Sequence, residues 1–405
     1  MTQWPPRSVR NCGRSASRHS SNCWPDCGPR SPRSPDMTAV PAAGCRPGGD
    51  AGSGWAAAVA FMGAALDHLG REIADAEPLL RERGLVSGSR ADVSANGSCR
   101  LVRSADGWLA INLPRPDDLE LLPAWLGLAA PAPSAPAGPP WVAIASVVAA
   151  RASAHVVDAA QELGLAVAAV PESAAGHVDA QLIARGTLDA SRPFLRTSVG
   201  RSGTDRTMSG VRVVDLSSLW AGPLCSRLLS EAGADVTKVE STTRPDGTRL
   251  GDPTLFERLH AGKRFAEVPF SPGESGAALR ELIAEADVVI EGSRPRALDR
   301  LGIDPLALLA ECPSKVWLSI TAYGRTGPWR NRIGFGDDAS AAAGLLDRDS
   351  AGELRFVGDA IADPLTGVFG AALITDAVAQ GGGVMIDLAL REVARSVALG
   401  AEVAW

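Results

Sequence analysis

The sequence predicts an α/β fold class, with a large domain built on a Rossmann-like parallel sheet and a smaller α+β domain before it. After residue 210, short apolar runs alternate with helical stretches, which is typical of a doubly wound parallel sheet. Residues 196–210 are rich in Ser, Thr, Arg and Gly, which indicates a linker. Residues 51–195 combine a β-hairpin with helical stretches and form the smaller domain.

The first part of the chain divides into an extension and a set of short elements. Residues 1–50 are rich in Arg, Ser, Pro and Gly without apolar periodicity, so we expect a disordered extension. After it, helices are predicted from apolar spacing that ends at Gly or Pro, and a hairpin from two apolar runs around one turn. The predicted elements are helical segments within Trp55–Leu85, strands Cys99–Arg103 and Gly107–Leu113, helices Asp117–Leu126 and Val142–Leu163, and strand Leu165–Val170.

In the large domain, strands are predicted from short apolar runs and helices from the segments between them. The strands are Val211–Leu216, Ala234–Glu240, Asp287–Glu291, Lys315–Thr321 and Val384–Leu390, and the helices are Pro223–Glu231, Gly276–Ala286, Pro305–Glu311 and Pro364–Ala379. Because parallel strands end at one edge of their sheet, ligands are expected at that carboxyl edge.

Composition excludes several functional classes. Among the 405 residues, 40 Lys and Arg against 46 Asp and Glu give a net charge of −6, with no dense basic run, which argues against nucleic-acid binding. Apolar stretches are interrupted before the ~18 to 20 residues that span a bilayer, and no secretory signal is evident, so we expect a cytoplasmic protein without a membrane partner. The seven Cys form neither paired CxxC motifs nor Cys/His clusters, so no metal site is expected.

The turn after the first strand of the large domain, Ser217–Pro223, is a candidate ligand site. It matches neither the GxGxxG dinucleotide fingerprint nor the Walker A loop, so NAD, FAD and P-loop ATP binding lose their usual support. Two interpretations stay open: a tight turn in which Gly222 allows close packing and Pro223 begins a helix, or a ligand-binding turn.

A second candidate is Ile361–Gly367, in which Asp363 precedes Pro364. On a structural interpretation Asp363 is an N-cap, since Asp before Pro is common at helix starts. On a functional interpretation the helix dipole keeps the carboxylate ionised, and a positioned carboxylate can attack an activated acyl carbon to form a covalent anhydride. The five His residues lie far apart and no GxSxG motif is present, so no hydrolase triad competes with this interpretation.

Two charged pairs also have alternative interpretations. Lys263 and Arg264 either contact phosphates or solvate a loop. Asp337 and Asp338 form a solvated pair or a helix cap.

Together these segments resemble the family III CoA-transferases (CaiB/BaiF type), which include formyl-CoA transferase, carnitine CoA-transferase and α-methylacyl-CoA racemase. The resemblance covers about residues 211–390. The matching motifs are Val214–Leu216 with Ala221–Pro223, Gly233–Val236 with Lys238–Glu240, Asp246 with Arg249, Gly262–Arg264, Ala286–Glu291, Arg294–Pro295 with Ala297–Leu298 and Arg300–Gly302, Tyr323–Gly324 with Thr326–Pro328, and Asp363 with Gly367.

The smaller domain resembles a part of the same family that normally follows the catalytic Asp. Asp106–Ile111 resembles the family's hairpin, and Glu162–Val167 with Val170 resembles a later strand. Because they come first here, the chain resembles a circularly permuted member. The alternative, a fusion of two truncated members, predicts more duplicated sequence than the chain contains.

The resemblance implies a CoA-transferase that moves CoA between an acyl-CoA thioester and a carboxylic acid through an aspartyl anhydride on Asp363. It implies no cofactor, since the coenzyme A thioester is a substrate, and it implies an intertwined homodimer. The implied CoA contacts are Ser218, Leu219, Trp220, Ala221, Lys263, Arg264 and Arg300, with Arg296 as a nearby addition, and the implied active-site loop is Ala95, Asn96, Gly97 and Ser98. Trp220, where relatives carry Gln near a small dicarboxylate, favours a less polar acyl pocket.

Two other functions stay open. The racemase branch deprotonates the acyl α-carbon with an acid–base pair that includes a Gly-His-Asp segment. The aligned residues here include Phe335 and Gly336 in place of the His and the Asp, although Asp337 is one place away, and this favours transfer. A catalytically silent CoA-binding homologue is the third function, because Ser241 and the pair Gly292–Ser293 depart from residues usual at the CoA contacts.

Overall fold

Short strands and helices make up the first part of the fold. The computed structural model describes residues 53–84, 92–128, 138–172, 181, 183–185, 190–199, 204 and 206–402, and the predicted extension at residues 1–50 lies outside them. The elements up to residue 170 are α1 (Ser53–His68), a 3₁₀ turn (Ile73–Asp75), α2 (Ala76–Leu80), β1 (Cys99–Arg103), β2 (Trp108–Asn112), α3 (Pro116–Glu120), α4 (Leu122–Leu126), α5 (Trp141–Val148), α6 (Ser153–Leu163) and β3 (Ala166–Val170).

A small antiparallel sheet forms in the order β1-β2-β3. Alternate apolar side chains of the strands, including Leu109 and Ile111, are buried against the helices, where Ile144 and Val156 belong to the same hydrophobic core. The predicted hairpin is therefore confirmed. The predicted helices Asp117–Leu126 and Val142–Leu163 are each divided in two in the structure.

The remaining elements alternate strand and helix. They are β4 (Phe194–Ser198), β5 (Arg212–Asp215), α7 (Ala221–Glu231), β6 (Asp235–Ser241), α8 (Thr248–Gly251), α9 (Pro253–His260), β7 (Arg264–Val268), a 3₁₀ turn (Gly273–Gly276), α10 (Ala277–Glu285), β8 (Val288–Glu291), α11 (Pro295–Leu301), α12 (Pro305–Glu311), β9 (Val316–Thr321), α13 (Gly336–Ala342), β10 (Leu346–Arg348), β11 (Leu354–Phe356), α14 (Ala362–Ala379), β12 (Val384–Ala389) and α15 (Leu390–Leu399).

Within the described residues, a large sheet has the strand order β4-β12-β9-β8-β5-β6-β7. All neighbours pair parallel except β4 and β12, which pair antiparallel. Every residue of β8 and β9 is buried, as expected for central strands that are covered on both faces. The predicted α/β fold class with a largely parallel sheet is confirmed. A separate two-stranded ribbon pairs β10 with β11.

Two features of the linker region differ from the sequence expectation. β4 occupies Phe194–Ser198, so the predicted linker begins inside an edge strand. Helix α1 lies before the linker in sequence, yet Met62 is buried in the core of the large sheet and the Phe61 ring packs on Phe369 of α14 at 5.4 Å between centroids. The division into domains at residues 196–210 stays a prediction.

Helix α14 is apolar on all sides and is buried along nearly its whole length, as such helices are. It packs most closely on α7. A Cβ atom at Gly367 would lie 2.6 Å from the Ala221 carbonyl oxygen and 3.1 Å from Leu224 Cβ. Glycine at this position therefore sets the distance between the two helices.

We expect Gly367→Ala to destabilise the fold by about 1–3 kcal/mol, because the added methyl group has no space in the α7–α14 contact. Gly251→Ala is the matched control, since a Cβ there meets no atom within 4 Å. Chemical denaturation of both variants tests this, and equal stabilities would contradict the packing described above.

Candidate active site

Asp363 is the second residue of α14 and is half-buried. Its backbone N–H donates to the Ala360 carbonyl at 2.8 Å, and its carboxylate accepts a hydrogen bond from the backbone N–H of Gly336, the first residue of α13. The N-cap position of α14 is Ile361, so the N-cap interpretation of Asp363 is wrong. The carboxylate is bound by the start of a neighbouring helix instead.

Backbone segments approach Asp363 so closely that residue 336 must be glycine. A Cβ atom there would lie 2.5 Å from Asp363 Oδ2 and 2.4 Å from the Ala360 carbonyl oxygen. Ala360 has a φ of 42°, a left-handed conformation that is uncommon for residues other than glycine. This strained turn directs the Ala360 carbonyl to the N–H of Asp363 and the Ala360 N–H to Asp337 Oδ1, at 2.9 Å.

Burial dominates the electrostatics around Asp363. Burial, together with the charges of Asp338 and Asp359, raises the pKa of Asp363 to about 7, against the lowering effect of Arg83. Burial and the charge of Asp359 raise the pKa of Asp337 to about 8. The helix dipole therefore does not hold the pKa of Asp363 at its ordinary value, because the loss of water outweighs the dipole.

Asp337 and Asp338 are both buried, so the solvated-pair interpretation is wrong. Asp338 Oδ1 accepts hydrogen bonds from the N–H of Phe335 at 2.9 Å and from Asn112 Nδ2 at 2.8 Å. The helix-cap interpretation is thus correct for Asp338, whose carboxylate binds the backbone that enters α13. The sequence predicted no part in the transfer site for this acidic pair, although it stands in the segment that aligns with the racemase acid–base pair.

The predicted active-site loop lies next to the carboxyl cluster, which consists of Asp337, Asp338, Asp359 and Asp363. Asn96 Oδ1 accepts hydrogen bonds from Ser94 Oγ at 2.7 Å and from the Ser98 N–H at 3.0 Å, which holds the turn closed. Ser98 Oγ in turn donates to Asn112 Oδ1 at 2.9 Å, and the Asn112 amide binds Asp338. Ala95 is half-buried and Gly97 is exposed, with a φ of 78°. The structure therefore connects Ala95–Ser98 to the carboxyl cluster through one side chain.

Arg83 connects the cluster to the large sheet's loops. Its Nη1 lies 3.1 Å from Asp359 Oδ1, and its Nε lies 3.9 Å from Asp252 Oδ2. Asp252 caps α9 by accepting a hydrogen bond from Leu255. Sequence reasoning did not identify Arg83, because its partners are far away along the chain.

Buried charged side chains hold the turn after β5 in place. Asp246 accepts hydrogen bonds from the Leu219 N–H at 3.1 Å and from Lys238 Nζ at 3.1 Å, and Leu219 has a φ of 72°. Ser218 and Leu219 are exposed, whereas Trp220 and Ala221 are buried. The indole N–H of Trp220 has no hydrogen-bond partner among the described residues. Ser218 and Leu219 are thus free to meet a ligand at the carboxyl edge.

Lys263 and Arg264 are both engaged by groups of the protein. The Lys263 ammonium is buried and binds Ser226 Oγ at 2.7 Å and the Pro223 carbonyl at 2.9 Å, and burial lowers its pKa to about 8. Arg264 forms an ion pair with Asp235, at the amino end of β6. The structure therefore gives no support to the CoA contacts predicted for these two residues.

Arg294, just after the carboxyl end of β8, lies within electrostatic range of four other arginines. Burial lowers the pKa of Arg294, and the charges of Arg296, Arg115, Arg244 and Arg300 lower it further. Within the described part of the chain, Arg294 has no carboxylate within ion-pair distance. Arg115 pairs with Asp118, whereas repulsion among the other arginines favours the binding of an anion. Of this cluster, only Arg296 and Arg300 were predicted as ligand contacts.

Two absences are reported for the described residues alone. No group of three or more His, Cys, Asp or Glu side chains in them is placed to hold a metal ion. In the same part of the chain, no helix has the length and apolar character needed to cross a bilayer.

Comparison with known proteins finds relatives of the second half of the chain. Residues 208–402 match the model of CoA-transferase family III. An "Acyl-CoA transferase" of Fusarium pseudograminearum is 32% identical over 225 residues, which are 50% of this chain and 49% of the relative. A "Succinate--glutarate CoA-transferase" of Agrobacterium fabrum is 32% identical over 209 residues, covering 47% and 52%. The chain spans about half the length of the curated relatives it matches.

One solved structure is also similar. The crystal structure of a CAIB/BAIF family protein from Brucella suis has 33% sequence identity and a TM-score of 0.43, and the match covers 48% of this chain and 56% of that one.

The raised pKa of Asp337 predicts a stability that depends on pH. Because the folded state binds this proton more tightly than the unfolded chain, Asp337 stabilises the fold at low pH and loses that contribution as pH rises through about 8. Asp337→Asn keeps the hydrogen bond from Ala360 and does not ionise. We expect its stability relative to the wild type to increase with pH, by at most about 1.4 kcal/mol per pH unit.

Denaturation between about pH 5 and pH 8 measures this effect in a range where the unfolded Asp is ionised. Asp67→Asn is the control, since Asp67 is exposed on α1. A stability difference between Asp337→Asn and the wild type that does not change with pH would refute the assignment.

Proposed function

Residues 208–402 of the chain belong to CoA-transferase family III, and on that premise we propose that the protein transfers coenzyme A between an acyl-CoA thioester and a carboxylic acid. The observation that carries the proposal is the Asp363 carboxylate. It lies half-buried at a helix start, beside glycine, and its oxygen accepts a hydrogen bond from the Gly336 N–H. A carboxylate in such a place can act as a positioned nucleophile.

The reaction proceeds by acyl exchange at Asp363. The carboxylate adds to the thioester carbonyl and CoA leaves as a thiolate, which gives a mixed anhydride. The thiolate then attacks the aspartyl carbonyl, releasing the first carboxylate and leaving Asp363 as its CoA thioester. The acceptor carboxylate attacks that thioester, and the returning thiolate takes the new acyl group from Asp363. No net proton or electron is consumed.

The arginine cluster supports binding of the CoA phosphates. Arg294, Arg296 and Arg300 follow β8, at the carboxyl edge where parallel sheets bind ligands. Planar guanidinium groups bind phosphate oxygens in pairs, and binding removes the repulsion within the cluster. Ser218 and Leu219 are exposed on a neighbouring strand's turn, which suits contact with the rest of the nucleotide.

Several finer features remain proposals. Trp220 replaces a polar residue near the acyl group, so we infer a less polar acyl substrate than a small dicarboxylate. An intertwined homodimer, a circularly permuted order and a cytoplasmic location are proposed from the family resemblance and the composition. Light scattering that shows a stable monomer at micromolar concentration would refute the dimer.

We expect Asp363→Asn to fold and to lose transferase turnover by several orders of magnitude, because an amide oxygen is a poor nucleophile. Hydroxylamine trapping followed by mass spectrometry should find a hydroxamate at residue 363 in the wild type alone. Asp376→Asn, at the far end of the same helix, is the control and should keep normal activity.

Substantial transferase activity in Asp363→Asn would contradict this mechanism and make Asp359 and Asp337 the next residues to test. Deuterium exchange at the acyl α-carbon without a hydroxamate would identify the racemase chemistry instead.

Arg294, which the structure favours as a CoA contact, can be compared with Arg264, which the sequence motif predicted. We expect Arg294→Ala to raise the KM for acyl-CoA roughly tenfold or more with little change in kcat, because a charge-assisted contact is lost. Arg264→Ala should leave KM unchanged, since its guanidinium pairs with Asp235. Steady-state kinetics with one acyl-CoA decides between them, and the opposite result would refute the arginine site.

A further inference from the structure

We propose that Asp338 is a second catalytic residue, whose Oδ2 carries a proton and donates a hydrogen bond to the carbonyl oxygen of the acyl group that Asp363 attacks. The proposal rests on the transfer reaction above and assigns to it a group that the sequence motifs did not.

Gly334 and Gly336 bring the two carboxyl groups to one side of the same backbone segment. A Cβ atom at Gly334 would lie 2.8 Å from Asp338 Oδ2, and one at Gly336 would lie 2.5 Å from Asp363 Oδ2. Phe335 between them is extended, with φ −130° and ψ 179°. The two absent side chains would therefore point to the same face, about 7 Å apart. At each glycine, a carboxyl oxygen occupies the space that a side chain would fill.

Each carboxyl oxygen lies within 3 Å of one of these two Cβ positions, so both oxygens lie on one side of the segment, where a single acyl group can meet them. One oxygen can lie about 3 Å from the carbonyl carbon, while the other lies within hydrogen-bond distance, about 2.7–3.1 Å, of the oxygen of the same group. Side chains larger than glycine at residues 334 and 336 would fill the space or displace the carboxyl groups. The glycines thus serve the chemistry as well as the packing.

Asp338 has one oxygen engaged and one free. Oδ1 accepts hydrogen bonds from Asn112 Nδ2 and the Phe335 N–H, whereas Oδ2 is buried and has no partner among the described residues. Ser98 donates to Asn112 Oδ1, which fixes the amide with its nitrogen toward Asp338. A buried carboxyl oxygen without a donor is costly when ionised, so the proton belongs on Oδ2.

The charged surroundings of Asp338 agree with this protonation. The groups that face it from the packed elements are Cys99 on β1, Asn112 on β2, Glu172 after β3, Tyr323 after β9, Asp337 on α13 and Asp363 on α14. At the start of α15, Arg391 binds the Glu172 carbonyl and Glu392 pairs with Arg185. Burial, with the charge of Glu172, raises the pKa of Asp338 to about 7.

The proposed step moves no proton between the two aspartates. As the Asp363 carboxylate forms its bond to the acyl carbon, the carbonyl electron pair shifts to oxygen, where the Asp338 O–H stabilises the negative charge. When the carbonyl forms again, the thiolate leaves and the proton stays on Asp338. A neutral carboxylic acid in a buried site can act as such a donor.

The test is the pH dependence of kcat/KM in matched variants. The wild type needs Asp363 ionised and Asp338 protonated, so we expect a bell-shaped profile. Asp338→Asn keeps an oxygen for Asn112 and Phe335 and puts an N–H donor in place of Oδ2–H. We expect it to stay within about tenfold of wild-type activity and to lose the alkaline fall, whereas Asp338→Ala loses roughly 10²–10³-fold.

Asp337→Asn is the matched control, because the Asp337 carboxylate binds the Ala360 N–H and is a direct neighbour of Asp338. It should retain the alkaline fall, displaced to lower pH by the loss of a neighbouring negative charge. A wild-type alkaline fall in Asp338→Asn, or wild-type turnover in a folded Asp338→Ala, overturns the proposal.

Two further measurements keep the result decisive. Infrared difference spectra of the wild type against Asp338→Asn should show the C=O stretch of a protonated carboxyl near pH 6 that disappears near pH 9, and its absence overturns the proposal even where Asp338→Ala does not fold. Hydroxylamine trapping distinguishes a failure of the Asp338 role from a failure of the transfer reaction. A hydroxamate at Asp363 with an unaltered profile in Asp338→Asn refutes the role of Asp338 alone, whereas no hydroxamate in the wild type refutes the transfer reaction and this role together.

Discussion

The removal of water from around Asp363 is the constraint on which the rest of the site depends. A buried carboxylate must be paired, hydrogen-bonded or protonated, and this structure uses all three solutions. Arg83 supplies a positive charge, the Gly336 N–H supplies a donor, and the raised pKa values of the neighbouring aspartates leave them able to hold protons near neutral pH. The strained turn at Ala360 follows from bringing these groups together.

The fold holds these groups in place through a helix that has almost no exposed face. Because α14 is buried along its length and Gly367 lets it lie directly on α7, the start of the helix cannot shift without disturbing the large core. The turn after β5 is fixed separately, by Asp246 and Lys238 below it. The proposed nucleophile and the proposed nucleotide contacts thus lie at two rigidly held positions around one sheet, as precise positioning requires.

Much of the large sheet could be predicted from the sequence, and the reasons are local. Helix Pro305–Glu311 was predicted with its observed bounds, because Pro and the apolar spacing mark it. The last three residues of strand β4 lie in the predicted linker, since they are polar and exposed at the sheet edge. The site shows the same limit. Asp363 was identified from its motif, whereas the orientation of Lys263 depends on Asp215, 48 residues away. Asp337 and Asp338 looked like surface residues, because nothing nearby in sequence indicates what covers them.

The contacts of the first helices with the large core also affect how the protein folds. Phe61 packs on Phe369, Glu82 pairs with Arg227, and Arg83 pairs with Asp359. Each contact closes a loop of more than a hundred residues, and such non-local contacts slow folding because chain entropy is lost before they form. During synthesis α1 leaves the ribosome long before α14 exists. The apolar face of α1 therefore stays unburied until most of the chain has been made. Residues 208–402 synthesised without α1 would leave the matching face of α14 in water, which makes the two halves of the sequence one cooperative folding unit.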